Sequence, residues 1–316
     1  MQNRTVIVNA GRMDYDHSLP LDTISDVLTV YESSTAEEIV ARVQGMDIAI
    51  TKEVPVTAEM IAAFPDTLRL IVEAGTGYNN IDLAAARSRG ITVCNVPAYS
   101  SERVAHTAIM LMLCLSSCMQ QQMAMLSHGD HRNFTQHLLC PHVELNGKAL
   151  GIIGYGNIGR AVIKIARAMD MNVLVSTRTP REDADGIRFV DRDTLLRESD
   201  YVSLHCPLTP ATRHIINADA LSRMKSTAFL INTARGALID EPALITALQN
   251  GTIAGAGLDV QETEPPREDN PLYTMPNVIL TPHMGWKGRE TRERLIRIVA
   301  DDVHAFLDGH PINVVS

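Results

Sequence analysis

Three residues far apart in the chain carry complementary chemistry: Arg235, Glu264 and His283. An imidazole beside a carboxylate is oriented by it and held toward its charged form, ready to give a proton. A guanidinium grips a carboxylate with two parallel bonds and stabilises charge developing on a nearby oxygen. The combination suits protonation of a carbonyl oxygen on a carboxylate-bearing molecule. Taken singly, a capping arginine or a core histidine explains each residue as well. Shared position is what groups them. Phe229-Leu-Ile-Asn-Thr-Ala-Arg235 reads as a strand running into the arginine, Gly255 to Val260 as another with Glu264 after it, and Val278-Ile-Leu-Thr-Pro-His283 as the last, so each residue lies at a strand's C-terminal end. In an open parallel sheet the C-terminal strand ends face one crevice, where ligands bind.

The elements that would position this chemistry centre on Gly154-x-Gly156-x-x-Gly159. A buried strand, Ala149 to Ile153, precedes it, and a helical pattern with Ile158, Val162, Ile165, Ala166 and Met169 on one face follows. Alone, the glycine pattern is weak; between a strand and an amphipathic helix it reads as a dinucleotide site. The helix N-terminus offers free N–H groups to a pyrophosphate. A bound nicotinamide would bring a hydride to the carbonyl carbon, with His283 protonating the oxygen, Glu264 holding His283, and Asp259 orienting the carboxamide. That sequence of events is reduction of a 2-oxo acid. About 20 residues past the glycines a carboxylate usually takes the ribose hydroxyl of NAD. Here Thr177 and Arg178 stand at the strand end, then Thr179 and Arg181, with no acid before Glu182. Hydroxyls and guanidinium groups suit a 2′-phosphate, so NADPH is expected in preference to NADH; solvated arginines are the alternative.

A length of 316 residues accommodates two domains. The net charge of −9 argues against general nucleic-acid binding, which needs a basic face. Five cysteines (Cys94, Cys114, Cys118, Cys140, Cys206), at no metal-like spacing, suit a reduced cytoplasmic protein. No signal-peptide layout and no stretch long enough to span a membrane is read. The first third alternates strand and helix, which predicts a parallel-sheet unit of its own. Its Gly75-Thr76-Gly77 turn is either a small anion cradle or a turn needed for geometry. A long, nearly all-apolar helix is expected from about Ser101 to beyond Met119, with Val104, Ala108, Leu111 and Leu115 on one stripe. The histidine-rich stretch from Ser127 to His142 lacks zinc-site spacing and reads as a polar loop, so no metal is assigned.

Together these motifs resemble the D-isomer-specific 2-hydroxyacid dehydrogenase family over nearly the whole chain. The resemblance rests on Gly75-Thr-Gly-Tyr-Asn-Asn-Ile-Asp82, Val93-Cys-Asn-Val-Pro97, Gly154-Tyr-Gly-Asn-Ile-Gly159 and His205-Cys-Pro-Leu-Thr209. It continues through Asn232-Thr-Ala-Arg-Gly236, Gly257-Leu-Asp-Val260 and Thr281-Pro-His-Met-Gly285. It implies an α/β fold of two doubly wound parallel-sheet domains: a Rossmann cofactor domain, 99–285, inserted into a flavodoxin-like substrate domain. The latter would comprise 1–98 and 286–316, the helix from Arg289 to Leu307 returning to it, with a cleft between the domains. The family's arginine, glutamate and histidine fall on Arg235, Glu264 and His283, and its substrate-carboxylate loop on Thr76 and Gly77. Its cofactor contacts fall on Asn157, Ile158, Thr177, Arg178, Cys206, Pro207, Thr233, Ala234, Asp259 and Gly285. Members are commonly homodimers joined through the helix and loop that begin here near Ser101. Two departures stand out: Thr177 replaces the usual acid, and Ser127 to Phe134 lacks the tryptophans common in that segment. Trp286 follows the histidine, as in glyoxylate and hydroxypyruvate reductase-like members, and would wall the substrate pocket.

The expected activity is reduction of a small 2-oxo acid, glyoxylate or hydroxypyruvate first. D-lactate or another D-2-hydroxyacid is the nearest rival, and a non-catalytic dinucleotide sensor on the same fold is a rival of another class. A formate enzyme would usually carry glutamine where Glu264 stands.

Overall fold

The computed structural model describes residues 3–179 and 181–316. The chain divides into two compact units, one of 1–100 with 286–316 and one of 101–285.

The first unit is a five-stranded, all-parallel sheet of β1 (Thr5–Ile7), β2 (Leu28–Val30), β3 (Ile48–Thr51), β4 (Leu70–Glu73) and β5 (Thr92–Asn95), in the order β2-β1-β3-β4-β5. Its helices α1 (Ala36–Arg42), α2 (Ala58–Ala62) and α3 (Leu83–Ser88) follow β2, β3 and β4 in turn. Thr35 caps α1 in a capping box with Glu38, as the Thr-x-x-Glu spacing dictates. Both sheet faces are apolar because side chains alternate along each strand. On one face Ile48, Ile50, Leu70 and Val72 pack against Leu295, Ile296, Val299 and Val303. On the other, Ala49 and Ile71 pack against Ile39, Ile61, Phe64 and Ala86. Each large aliphatic side chain so buried contributes roughly 1.5–3 kcal/mol.

The second unit begins with α4 (Ser101–Ser116), α5 (Met119–Ser127) and the single turn α6 (Arg132–Thr135). Then come β6 (Ala149–Ile153), α7 (Asn157–Ala168), β7 (Asn172–Ser176), β8 (Ile187–Phe189), α8 (Arg192–Glu198) and β9 (Tyr201–Leu204). The remainder is α9 (Ala218–Arg223), β10 (Phe229–Asn232), α10 (Glu241–Gln249), β11 (Gly255–Leu258) and β12 (Val278–Leu280). The final helix of the chain, α11 (Arg289–Leu307), belongs to the first unit. The seven parallel strands run β12-β11-β10-β9-β6-β7-β8. Ala105, Ala108, Leu111 and Val162 cover one face, Leu195, Leu221 and Leu244 the other. The order reverses between β6 and β9, the switch point at which doubly wound sheets bind ligands.

One expectation fails. The helix predicted to continue past Met119 breaks after Ser116, and α4 and α5 meet at 63°. Cys118 sits there in the left-handed region at φ +46°. The break has tertiary partners: Val143 N–H donates to Ser116 O (2.9 Å) and the Cys118 thiol to Pro141 O (2.9 Å). The histidine-rich stretch is mostly loop, and its Asp130 is held by Arg132 in a two-pronged pair (2.9 and 2.7 Å). Among the described residues there is no cluster of three or more metal-capable side chains, and no single helix is long and apolar enough to cross a membrane.

Candidate active site

At the switch point the three glycines do separate jobs. Gly154 has φ +104°, and a Cβ there would lie 2.6 Å from the His205 carbonyl carbon. A Cβ on Gly159 would lie 2.5 Å from Gly154 O, so only glycine lets α7 sit this close to the turn. Gly156 opens α7 with no side-chain cap and has nothing within 4 Å of where a Cβ would stand. The first N–H groups of α7, at Asn157 and Ile158, are thus left without a side-chain cap, the donor arrangement an anion needs.

Further along the strand ends, buried polar atoms lack protein partners. Thr233 Oγ1, just past β10, and His205 Nδ1, just past β9, are buried with none. Ser203 Oγ and His205 Nε2 are 2.8 Å apart, and burial pushes the His205 imidazole down to about 4, so it is neutral near pH 7. Burial likewise pushes the Cys206 thiol up to about 11. A neutral, partly unsatisfied rim of this kind fits a polar cofactor, whose groups would meet the orphaned atoms. His205 was legible only as part of a motif; its buried orphan nitrogen is a property of the fold. At the end of β7, Thr177 Oγ1 donates to Thr179 O (2.6 Å), while Arg178, Thr179 and Arg181 are exposed. The Arg181 guanidinium lies 5.5 Å from the ring centre of Tyr155. An apolar cavity of about 390 Å³, lined by Leu115, Tyr201 and Phe229, sits at the opposite strand ends, away from these groups.

Arg235, Glu264 and His283 follow β10, β11 and β12, three adjacent strands. Asn232, fully buried, shapes the Arg235 turn: its amide donates to Arg235 O (2.8 Å) and accepts from Ala234 N–H (3.0 Å). Glu264 and His283 are in contact, with Nδ1 of the ring 2.8 Å from Oε2. The other oxygen, Oε1, accepts from Gln261 N–H at 3.0 Å. Because a carboxylate only accepts, Nδ1 carries hydrogen and Nε2 is the nitrogen left to exchange a proton. His283 is held at φ +47°, a conformation most residues avoid.

Asp259 enforces that conformation. Its buried carboxylate accepts from Thr281 Oγ1 (2.6 Å), Met284 N–H (2.9 Å) and Gly285 N–H (2.8 Å), while its carbonyl accepts from His283 N–H (2.9 Å). The residues on both sides of His283 are thereby clamped to one side chain. This grip escaped the sequence reading, which gave Asp259 only a role toward nicotinamide.

In the first unit the Gly75 turn is braced. Thr76 Oγ1 donates to Val96 O (3.0 Å), and Asn95 donates to Thr76 O (2.7 Å). Among the described residues neither the Thr76 nor the Gly77 N–H meets an acceptor. Trp286 is buried in the core of that unit, with the Lys52 ammonium 4.0 Å from its ring centre.

Comparison with known proteins adds a family to this geometry. Residues 109–285 match the pattern described as D-isomer specific 2-hydroxyacid dehydrogenase, NAD binding domain. The chain is 43% identical over 291 residues to a glycerate dehydrogenase of Methylorubrum extorquens, covering 90% of this chain and 91% of that one. It is 36% identical over 315 residues to a hydroxypyruvate reductase of Blautia hydrogenotrophica, covering 98% and 97%. Among solved structures it is similar to an NADPH-dependent glyoxylate/hydroxypyruvate reductase of Sinorhizobium meliloti in complex with NADP and malonate. There the TM-score is 0.86 at 29% identity, with 100% of this chain and 97% of that one covered. The strand order, the glycine turn and these likenesses lead to one conclusion: the chain belongs to the D-isomer specific 2-hydroxyacid dehydrogenase family and is an NAD(P)-dependent oxidoreductase.

Proposed function

We propose that this enzyme reduces a small 2-oxo acid, glyoxylate or hydroxypyruvate, to the corresponding 2-hydroxy acid (of D configuration where C2 is a stereocentre), preferring NADPH and able to use NADH. The observation that carries the reading is the His283–Glu264 pair, with it and Arg235 following three adjacent strands. When bound, the reduced nicotinamide supplies the hydride. His283 gives the proton to the carbonyl oxygen from Nε2, and Glu264 keeps the ring oriented and stabilises its charged form. Arg235 binds the substrate carboxylate and polarises the carbonyl; in the first unit, the Thr76 and Gly77 N–H groups are the proposed carboxylate donors.

Gly154, Gly156, Asn157, Ile158 and Gly159 would hold the pyrophosphate. Cys206, Pro207, Thr233, Ala234 and Gly285 would line the nicotinamide end, with the remaining acceptor capacity of Asp259 available to its carboxamide. Thr177, Arg178, Thr179 and Arg181 would meet a 2′-phosphate; their hydroxyls, charge and exposure support NADPH. The names of the relatives support a two- or three-carbon substrate. We assign the protein to the cytoplasm on its five unpaired cysteines. We also assign it a homodimeric state, supported by exposed Met123, Leu126, Phe134 and Leu138 on the arm that follows α4. Kinetics with glyoxylate, hydroxypyruvate, pyruvate and bulkier 2-oxo acids, each with both nucleotides, test the reading. Highest kcat/KM for a bulky 2-oxo acid would overturn the substrate assignment.

A further inference from the structure

Beneath the Gly75 turn lies a buried charge cluster that the reaction as described does not use. Glu73, the last residue of β4, is fully buried and accepts three hydrogen bonds from two segments, the end of β3 with the residues just after it and the stretch around Asn80. Thr51 Oγ1 at the end of β3 donates to Oε2 (2.8 Å), Glu53 N–H to Oε1 (2.9 Å), and Asn80 Nδ2 to Oε2 (2.9 Å). Lys52, itself 1% exposed, pairs with Glu53 (2.6 Å). A Cβ placed on Gly75 would lie 3.3 Å from both Lys52 Nζ and Glu73 Oε1, so the two charges bracket the turn from below. Asn80 also donates to Val54 O (2.7 Å), which ties the far side of the turn to the same segment.

Burying a carboxylate at a strand end is costly unless donors surround it. Burial pushes the Glu73 carboxyl upward, against the pull of Lys52, Asn80, the Glu53 N–H and Thr51. The three donors match the ionised form, and Lys52 supplies the counter-charge. An aliphatic residue would serve the core as well as this arrangement does. What the aliphatic residue lacks is direction: only an acceptor reaching β3, the Glu53 backbone and Asn80 together fixes where the turn between them points.

We propose that Glu73 is a positioning residue for substrate binding: through Asn80 and Lys52 it holds the Gly75-Thr76-Gly77 turn so that the Thr76 and Gly77 N–H groups converge on the substrate carboxylate. This rests on the reading of that turn as a carboxylate site. The role proposed is confined to binding: Thr51, Glu53 and Asn80, the donors to Glu73, all belong with it to the first unit.

The test uses steady-state kinetics of the full-length enzyme with glyoxylate and NADPH, alongside nucleotide affinity by fluorescence. Glu73→Gln keeps the shape, but its NH2 must face a donor in either orientation. It should raise KM for glyoxylate tenfold or more, leave kcat within about threefold, and leave nucleotide affinity unchanged. Asn80→Ala, at a half-buried position less demanding of the fold, should raise KM several-fold in the same pattern. Gly75→Ala, which crowds the turn directly, serves as the reference. If Gly75→Ala raises KM while Glu73→Gln and Asn80→Ala do not, the positioning role is overturned and the turn stands. If all three leave KM unchanged, the turn is not the carboxylate site. Equal losses in kcat, KM and nucleotide affinity would mark Glu73 as a purely structural residue and also overturn the proposal.

Discussion

Nδ1 of His283 lies 2.8 Å from Oε2 of Glu264, and the second oxygen of that carboxylate is taken by Gln261 N–H. The pair is therefore oriented from the glutamate side, with Nε2 the free nitrogen. Replacing His283 with alanine should lower kcat by roughly 10²–10⁴, the usual share of a positioned proton donor. Nucleotide affinity, by fluorescence titration, should be unchanged. Glu264→Gln should cost about tenfold or more in kcat, since an amide can orient the ring but cannot balance its charge. Wild-type turnover in His283→Ala would remove the residue from the mechanism.

Asp259 accepts three donors from Thr281, Met284 and Gly285. In Asp259→Asn one of those donors must face an NH2 group. A buried donor left unpaired costs about 1–3 kcal/mol, so the thermal midpoint should fall by several degrees. Turnover should fall with it, since His283 loses the clamp that keeps it at φ +47°. A variant with normal stability and rate would show that the loop holds its shape unaided.

Arg178 is exposed at the end of β7, where a carboxylate is absent. Charge-assisted bonds of this kind are worth about 1.5–3 kcal/mol, so Arg178→Ala should lower kcat/KM for NADPH by about tenfold to a hundredfold while sparing NADH. Equal losses with both nucleotides would show that Arg178 does not hold the 2′-phosphate.

His205 has its affinity for a proton depressed by burial, to about 4. The unfolded chain takes up that proton below about pH 6.5, so stability present above 6.5 is lost as pH falls toward 4. The loss amounts to about 3 kcal/mol at most. Asp302, in the first unit, is pushed up to about 6 by burial and acts in the opposite sense, gaining stability as pH falls from 6 toward its ordinary range. Comparing variants separates the two. The advantage in thermal midpoint of wild type over His205→Asn should shrink by several degrees between about pH 7.5 and pH 4.5. An advantage independent of pH would mean that the folded chain charges His205 freely.

Phe134 is 78% exposed and Met123 63%, on the arm proposed to join two copies. Light scattering should give a dimer for wild type and a shift toward monomer for a Met123→Asp, Phe134→Asp double variant. A monomeric wild type at micromolar concentration would end that assignment.

Features governed by neighbours in sequence were legible from the chain alone. The capping box at Thr35 and Glu38, the run of α11 from Arg289 to Leu307 and the glycine turn at 154–159 depend on spacings within one or two helical turns. Even the grouping of Arg235, Glu264 and His283 followed from counting strands, because parallel strands present their ends on one side. Folding alone decided the rest. Nothing near Ser116 announces the break between α4 and α5; its partners, Pro141 and Val143, lie about two dozen residues on. The grip of Asp259 on the loop around His283, and the three donors gathered by Glu73, join groups 20 or more residues apart in all but one contact. A carboxylate in a sequence declares its charge; which donors surround it once water is excluded depends on where the backbone brings them.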